Sequence, residues 1–341
     1  MVTPLNVAIV GATGLVGSRF RSILEERGFP VGSLSLLASE RSVGRVVEFS
    51  GRVCRVGNAA EFDFSGTHLA LFSAGSEVAR EHGPRAAEVG AVVIDNSSCF
   101  RYASDVPLIV PEVNGDQVGK GKRRGIIANP NCSTIQLVVV LKPLRDAVGI
   151  RRVSVCTYQA VSGAGVRAVK ELDDQIEAIR QNRPAKSNAL PARIAFNAVP
   201  HIDGFEDNRY TREEMKLVWE TRKILEDEAI DVNPTCVRVP VYVGHSEAVH
   251  VETVDPVTPD HAKELLQAAP GVSVMDRCEA GGYPTPAVDV EGTDSVFVGR
   301  IRQDLRSRRG LNLWVVADNE RKGAALNAIQ IAERLLPLLG M

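Results

Sequence analysis

The run Val7-Ala8-Ile9-Val10-Gly11-Ala12-Thr13-Gly14-Leu15-Val16-Gly17 decides how this chain is read. A short apolar segment rich in β-branched residues ends at Gly11, and an apolar pattern at helical spacing starts at Leu15. The three glycines, spaced GxxGxxG, permit a tight strand-to-helix turn and let the backbone approach a pyrophosphate closely. The head of the helix adds N–H donors and the positive end of a dipole. Gly11, Thr13, Gly14, Leu15 and Val16 are therefore the expected dinucleotide cradle. The alternative is a turn that needs glycine for steric reasons alone.

Outward from that loop, the first third alternates strands and helices. Strands are expected at 5–10, 33–38, 68–72 and 91–94, with helices over 15–27 and 76–89. Such alternation implies βαβ units and a Rossmann-like, doubly wound α/β domain with helices on both faces of a parallel sheet. A Pro-containing turn at 128–133 leads into an apolar helix over 133–148. Beyond residue 150 the texture changes to a mixed α+β pattern, with β-rich segments at 152–160, 237–254, 273–274, 295–302 and 312–317. Helices are expected at 167–180 and 212–227, separated by a polar connection at 181–200. A final apolar helix over 324–336 is expected to return to the first domain. The expected division is therefore 1–131 with 319–341 as the dinucleotide-binding domain, and 132–318 as the catalytic domain.

Composition narrows the class. The chain is 44% hydrophobic and 24% charged, which is ordinary for a soluble globular protein. A net charge of -2 offers no basic field for nucleic acid. No apolar run approaches the roughly 20 residues that span a bilayer, and Met1-Val2-Thr3-Pro4 leads straight into a strand with no signal peptide visible. Six cysteines carry no CxxC pair and no metal-ligand spacing with the six histidines, so no metal is expected and a reducing cytoplasm fits best.

The second expected strand ends in Ser39-Glu40-Arg41-Ser42. A guanidinium between two hydroxyls suits the 2′-phosphate of NADP, whereas Glu40 is the kind of residue that binds the 2′-hydroxyl of NAD. Ser39, Arg41 and Ser42 favour NADP. Ser73 and Gly75, just after another strand, are expected to line the same crevice or to form a plain small-residue turn. In Asn129-Pro130-Asn131-Cys132-Ser133, Asn131 is a candidate helix N-cap and Cys132 falls in the first turn. A thiol there meets unpaired N–H groups and the helix dipole, which favour thiolate and can hold an oxyanion. A buried structural cysteine is the competing reading, and Cys99 is the rival nucleophile.

Taken together, GATGLVG at 11–17, Asn129-Pro130-Asn131-Cys132-Ser133, Gln159-Ala160-Val161-Ser162-Gly163-Ala164-Gly165, Glu213-Glu214-Met215-Lys216, Arg238-Val239-Pro240-Val241 and Gly244-His245-Ser246 resemble the aspartate-semialdehyde dehydrogenases across nearly the whole chain. The resemblance implies NADPH-dependent reduction of L-aspartyl 4-phosphate to the semialdehyde, releasing phosphate, in lysine, methionine, threonine and isoleucine synthesis. It also implies a homodimer built through the second domain.

Roles follow from the resemblance, each beside a plainer reading. Cys132 would form the thioester and Gln159, otherwise a loop amide, would orient the substrate. His245 would be the acid/base, although spacing alone does not separate it from His201 or His250. Arg238 would clamp the α-carboxylate, Glu213 would meet the ammonium, and Arg101, Asn131 and Lys216 would bind phosphate. Glu213 and Lys216, at i and i+3, would otherwise be a solvated pair, while Thr211 with Glu214 fits a capping box. Ser162, Gly163 and Asn319 would contact the nicotinamide side, Asp318-Asn319 being otherwise a strand-end turn. Arg238 and His245 have opposite parity within the β-rich 237–254 segment, so a bend at Pro240 or Gly244 is required. Competing functions are N-acetyl-glutamyl-phosphate reductase, for which Glu213 would lack an ammonium, a non-catalytic NADP sensor, and a thiol acyltransferase with no hydride step.

Overall fold

A computed structural model describes residues 3–339, so Met1 and Val2 of the N-terminal reading and the last two residues lie outside it. The chain divides into two compact units, Met1–Asn131 with Ala324–Met341, and Cys132–Gly323.

The first unit is built on β1 (Leu5–Val10), α1 (Leu15–Glu26), β2 (Val31–Ala38), β3 (Val46–Phe49), β4 (Arg52–Asn58), β5 (Leu69–Phe72), α2 (Ser76–Glu88), β6 (Val92–Asp95), the short α3 (Pro111–Asn114) and β7 (Ile126–Ala128). Its seven strands lie in the order β3-β4-β2-β1-β5-β6-β7, and every pair is parallel except the β3–β4 hairpin. Val7 to Val10 are all buried, as a central parallel strand covered on both faces requires. Strand order reverses at β1, which has β2 on one side and β5 on the other. The crevice beyond the carboxyl ends of β1 and β5 is thus the switch point at which such sheets bind ligands.

Steric contacts account for two of the three loop glycines. A Cβ on Gly11, whose φ is +91°, would lie 2.7 Å from the Ser73 carbonyl carbon. A Cβ on Gly17 would lie 2.2 Å from the Gly11 carbonyl oxygen. Gly14 differs: it caps α1 in extended conformation, and a Cβ there would meet only the Gly11 oxygen, at 3.5 Å. Its open outer side is the room a pyrophosphate needs.

The second unit contains α4 (Cys132–Val148), β8 (Ile150–Gln159), α5 (Val166–Arg180), α6 (Arg212–Leu225), β9 (Asp231–Arg238), β10 (His245–Thr253), α7 (Pro259–Ala268), β11 (Val272–Val274), β12 (Val296–Gln303) and β13 (Gly310–Ala317), before α8 (Leu326–Leu335) rejoins the first unit. Six strands lie in the order β11-β12-β13-β10-β8-β9; β8–β9 and β11–β12 are parallel and the other pairs antiparallel. Helix α4 packs on β8, β10, β12 and β13 and against α6 and α7. Alternate residues Val153, Val155, Thr157 and Gln159 of β8 are buried, while Arg152, Ser154, Cys156 and Tyr158 on the other face are half-buried or exposed.

One expectation is corrected here. Arg238 and His245 do not share a strand: β9 ends at Arg238, β10 begins at His245, and β8 lies between them in the sheet. The parity conflict therefore disappears without a bend. The β3–β4 hairpin, β7 and α7 were absent from the sequence reading.

Gly17→Ala sets two effects of opposite sign against each other. Helix propensity alone would stabilise α1 by roughly 1 kcal/mol, but the 2.2 Å approach to a main-chain oxygen implies overpacking costing about 1–3 kcal/mol. Net destabilisation and weakened NADP binding are expected, measured by denaturant titration and fluorescence binding.

Candidate active site

In the second unit Cys132 is the first residue of α4, so its thiol stands where the helix N–H groups have no intrahelical acceptor. Gly323 approaches it so closely that a Cβ there would sit 3.0 Å from Cys132 Cβ. Arg238, at the end of β9, is within electrostatic reach of this sulfur. Its Nη1 donates to the Ala160 carbonyl oxygen at 2.8 Å. Burial lowers the Arg238 pKa, with Glu213 and Cys132 opposing that shift.

His245 opens β10 and is fully buried. Its Nδ1 accepts the Ala160 N–H at 3.0 Å. The proton of the neutral ring is therefore assigned to Nε2, which has no hydrogen-bond partner among the described residues. That edge faces Gly163, whose hypothetical Cβ would lie 3.2 Å from Nε2 and 3.0 Å from Arg238 Nη1. A side chain at 163 would occupy the space over both groups. Burial, then the Arg238 charge, drives the His245 pKa down to about 3, with Glu213 opposing. The resting ring is neutral.

Glu213 connects the remaining groups. Its Oε1 accepts Gln159 Nε2 at 3.0 Å, and its Oε2 accepts Lys216 Nζ at 2.9 Å. Thr157 Oγ1 donates to Gln159 Oε1 at 3.0 Å, fixing which way the amide points. Lys216 also donates to Asp203 at 2.9 Å. Burial alone would depress the Lys216 pKa, but Glu213 and Asp203 more than offset it and the net shift is upward. The i,i+3 pair is thus largely buried rather than solvated, and Asp203 joins it from the exposed side. The capping box is present: Glu214 Oε2 accepts the Thr211 N–H at 2.7 Å and Thr211 Oγ1 accepts the Glu214 N–H.

Asn319 ties the glycine-rich turn to the start of β10. Its Nδ2 donates to Ser162 Oγ at 2.9 Å and its Oδ1 accepts the Gly244 N–H at 2.8 Å. Asp318 takes the plainer role, accepting the N–H groups of Glu320, Arg321 and Gly292. The second unit thus brings together Cys132, Gln159, Ser162, Gly163, Glu213, Lys216, Arg238, His245 and Asn319.

Arg101 and Asn131 belong to the first unit, and both are buried. Arg101 is held by main-chain carbonyls, its Nε donating to Asn129 and its Nη2 to Asn96, each at 2.9 Å. Around the dinucleotide loop, Thr13 Oγ1 donates to Ser42 Oγ at 3.4 Å. Ser39 caps the turn Glu40–Ser42, where Arg41 is exposed, and Gly75 caps α2. Among the described residues no group of three or more His, Cys, Asp or Glu is arranged to hold a metal, and no helix is long and apolar enough to cross a membrane.

Residues that the sequence reading missed include Asp203, Gly323 and Glu247. The first two carry no local signal, because their contacts are with residues distant in sequence. Glu247, two residues past His245, is fully buried with no hydrogen bond to its carboxyl oxygens among the described residues. Gln136, one turn after Cys132 on α4, is its polar neighbour.

Two family models divide the chain between them. Residues 6–121 match the NAD binding domain of semialdehyde dehydrogenase, and residues 141–322 match the semialdehyde dehydrogenase dimerisation domain. The class so defined is that of the semialdehyde dehydrogenases. An aspartate-semialdehyde dehydrogenase of Legionella pneumophila is 60% identical over 97% of this chain and 95% of its own length. The crystal structure of aspartate semialdehyde dehydrogenase II from Vibrio cholerae, complexed with ASA, is similar at TM-score 0.96 and 53% identity, covering 98% of this chain and 99% of that one. A Candida albicans aspartate semialdehyde dehydrogenase solved with NADP is similar at TM-score 0.74 and 27% identity, over 98% of both chains. The chain belongs to the aspartate-semialdehyde dehydrogenase family.

Burial pushes the Glu247 pKa well above the usual range for a glutamate. The unfolded chain loses that proton near pH ~4.3, so wild-type stability falls as pH rises above that value, by at most about 1.4 kcal/mol per pH unit. Glu247→Gln removes this dependence. The variant-minus-wild-type difference in unfolding free energy should therefore become more favourable from pH 5 to pH 8; a pH-independent difference would mean the folded carboxyl is ionised.

Proposed function

We propose that the chain reduces L-aspartyl 4-phosphate to L-aspartate 4-semialdehyde and phosphate with NADPH, through a thioester on Cys132. The observation that carries this reading is a thiol at a helix N-terminus in the same unit as a buried arginine, glutamate, lysine and neutral histidine. Relatives named aspartate-semialdehyde dehydrogenase support it, and do not favour an acetylated substrate or a non-catalytic sensor. The open outer side of Gly14 and the hydroxyls of Thr13 and Ser42 beside it fit a dinucleotide, with Ser39 and Arg41 near its 2′-phosphate.

In this reading the substrate carboxylate pairs with Arg238 and its ammonium with Glu213, the Gln159 amide turning from Glu213 to the substrate. Cys132, as the thiolate favoured by the helix N-terminus, attacks the acyl carbon, and N–H groups at the head of α4 stabilise the oxyanion. Collapse breaks the carbon–oxygen bond, and phosphate departs as a dianion suited to cations; Lys216 in the second unit and Arg101 with Asn131 in the first are assigned to it. NADPH, when bound, supplies the hydride that reduces the thioester, after which the carbon–sulfur bond breaks, the aldehyde leaves and Cys132 returns as the thiolate. His245 offers its Nε2–H to the substrate oxygen. A carboxylate on Arg238 offsets the charge that depresses the imidazole, so substrate raises its basicity and equips it to accept a proton in the reverse direction. Ser162, Gly163 and Asn319 shape the space for the nicotinamide.

The protein is further proposed to act as a homodimer in a reducing cytoplasm. The half-exposed sheet face with Tyr158 and Trp314, whose ring centroids lie 5.6 Å apart, suits a second copy, and all six cysteines are unpaired.

Phosphate-dependent reduction of NADP by L-aspartate semialdehyde, followed by nicotinamide absorbance, is expected for wild type and absent for Cys132→Ala. Turnover of N-acetyl-glutamate semialdehyde instead would move the substrate assignment. Arg41→Ala should raise the KM for NADP by about tenfold, as expected for losing a charge-assisted phosphate contact, and leave that for NAD unchanged. An unaltered NADP KM would reassign the 2′-phosphate site.

A further inference from the structure

Arg101 is the group in the first unit to which the reading above gives the leaving phosphate, and what orients it is a chain of buried amides. Two of its N–H donors are fixed on the carbonyl oxygens of Asn96 and Asn129, both at 2.9 Å. A guanidinium is planar and presents its donors in a rigid fork, so two such bonds define the plane in which the rest of the group lies. Asn96 and Asn129 follow directly on β6 and β7, so their carbonyls are carried by the parallel sheet.

The side chains of these residues are linked in turn. Asn129 Nδ2 donates to Asn96 Oδ1 and to the Ala324 carbonyl oxygen. Asn129 Oδ1 accepts from Asn327 Nδ2 at 2.7 Å, and the same Nδ2 donates to the Ile109 carbonyl oxygen at 2.9 Å. Both N–H bonds of each amide are thereby engaged. Because the chain of donors ends on main-chain carbonyls on both sides, neither amide can flip without losing bonds. Asn129 and Asn327 are completely buried, where an unanswered polar atom is costly. A fully buried amide pair that links α8 to the residue after β7 calls for a reason.

We propose that Asn327, on α8, is a positioning residue for the phosphate step: through Asn129 it fixes the two carbonyls that orient the Arg101 guanidinium. The inference rests on the assignment of Arg101 to phosphate, and it goes further by making the C-terminal helix part of the phosphate-binding apparatus. Removing the Asn327 amide leaves Asn129 Oδ1 without its donor. Asn129 then rotates to find another, and the carbonyl under Arg101 Nε moves with it.

The test uses the full-length enzyme in the oxidising direction, with inorganic phosphate varied at saturating L-aspartate semialdehyde and NADP. The variants are Arg101→Leu, Asn327→Ala, Asn327→Ser and the double variants Arg101→Leu/Asn327→Ala and Arg101→Leu/Asn327→Ser. Arg101→Leu should raise the phosphate KM by about tenfold or more, as loss of a charged hydrogen-bonding group implies. Asn327→Ala should raise it by about three- to tenfold through misplacement alone, with the KM values for NADP and semialdehyde within about twofold of wild type. Asn327→Ser, which retains a donor, should lie between Asn327→Ala and wild type. In the Arg101→Leu background, Asn327→Ala should add nothing. If Arg101→Leu raises the phosphate KM and neither Asn327 variant does, the proposal is wrong and the reading of Arg101 stands. If Arg101→Leu leaves the phosphate KM unchanged, the reading of Arg101 is itself wrong. Should circular dichroism show Asn327→Ala to be unfolded, Asn327→Ser decides alone: a raised phosphate KM that disappears in the Arg101→Leu background supports the proposal, and an unchanged KM overturns it.

Discussion

The second unit depends on one buried carboxylate. Glu213 accepts the Gln159 amide on one oxygen and the Lys216 ammonium on the other, and its charge opposes the desolvation of both Arg238 and His245. Burying a cation without a partner costs several kcal/mol, so a site holding Lys216 and Arg238 out of water requires such an anion. The carboxylate can serve only if α6 is held at the correct rotation, and the next residue does that. Glu214 closes the capping box with Thr211 and also accepts the Cys236 N–H at 3.0 Å, which docks the head of α6 onto β9. Strand β9 ends two residues later at Arg238. Two consecutive glutamates thus divide the work, one fixing the helix and the other using the position so fixed.

The histidine fits the same logic. A neutral imidazole beside a guanidinium is what a dry site favours, and the main chain of Ala160 serves both groups, its N–H to His245 Nδ1 and its carbonyl to Arg238. The two peptide groups that flank one residue therefore set both the tautomer of the ring and the reach of the arginine. Gly163 keeps the space over them clear.

Much of this was legible in the chain. The Gly-rich loop, its flanking strand and helix, and the cysteine at the head of an apolar helix each carry a local signal, because each depends on neighbours in sequence. The capping box at Thr211 and Glu214 was legible for the same reason. The β3–β4 hairpin was not, since its strands are largely exposed and too polar to show an apolar alternation. Helix α7 buries only Ala262 and Leu266, although Thr258 and Pro259 do mark its start. The β-rich stretch 237–254 holds β10 and only the last two residues of β9, whose earlier part, Asp231-Val232-Asn233-Pro234, is polar and carries a proline, and sequence alone does not reveal that β8 runs between the two strands. Asp203, Gly323 and Asn327 left no trace, because what they touch is remote in the chain; Asn327 meets Asn129 across 198 residues.

That last separation has a consequence for how the protein is made. The core of the first unit joins Phe20, Ile23 and Leu24 with Leu326, Ile329, Ile331 and Leu335. During synthesis the nucleotide-binding sheet emerges before the second unit but lacks its closing helix until Leu326–Leu335 have left the ribosome. The intervening unit, continuous in sequence from Cys132 to Gly323, has every residue it needs earlier. The unit that comes first in sequence is thus completed after the one that follows it, and until then its apolar face waits for a helix some three hundred residues downstream of α1.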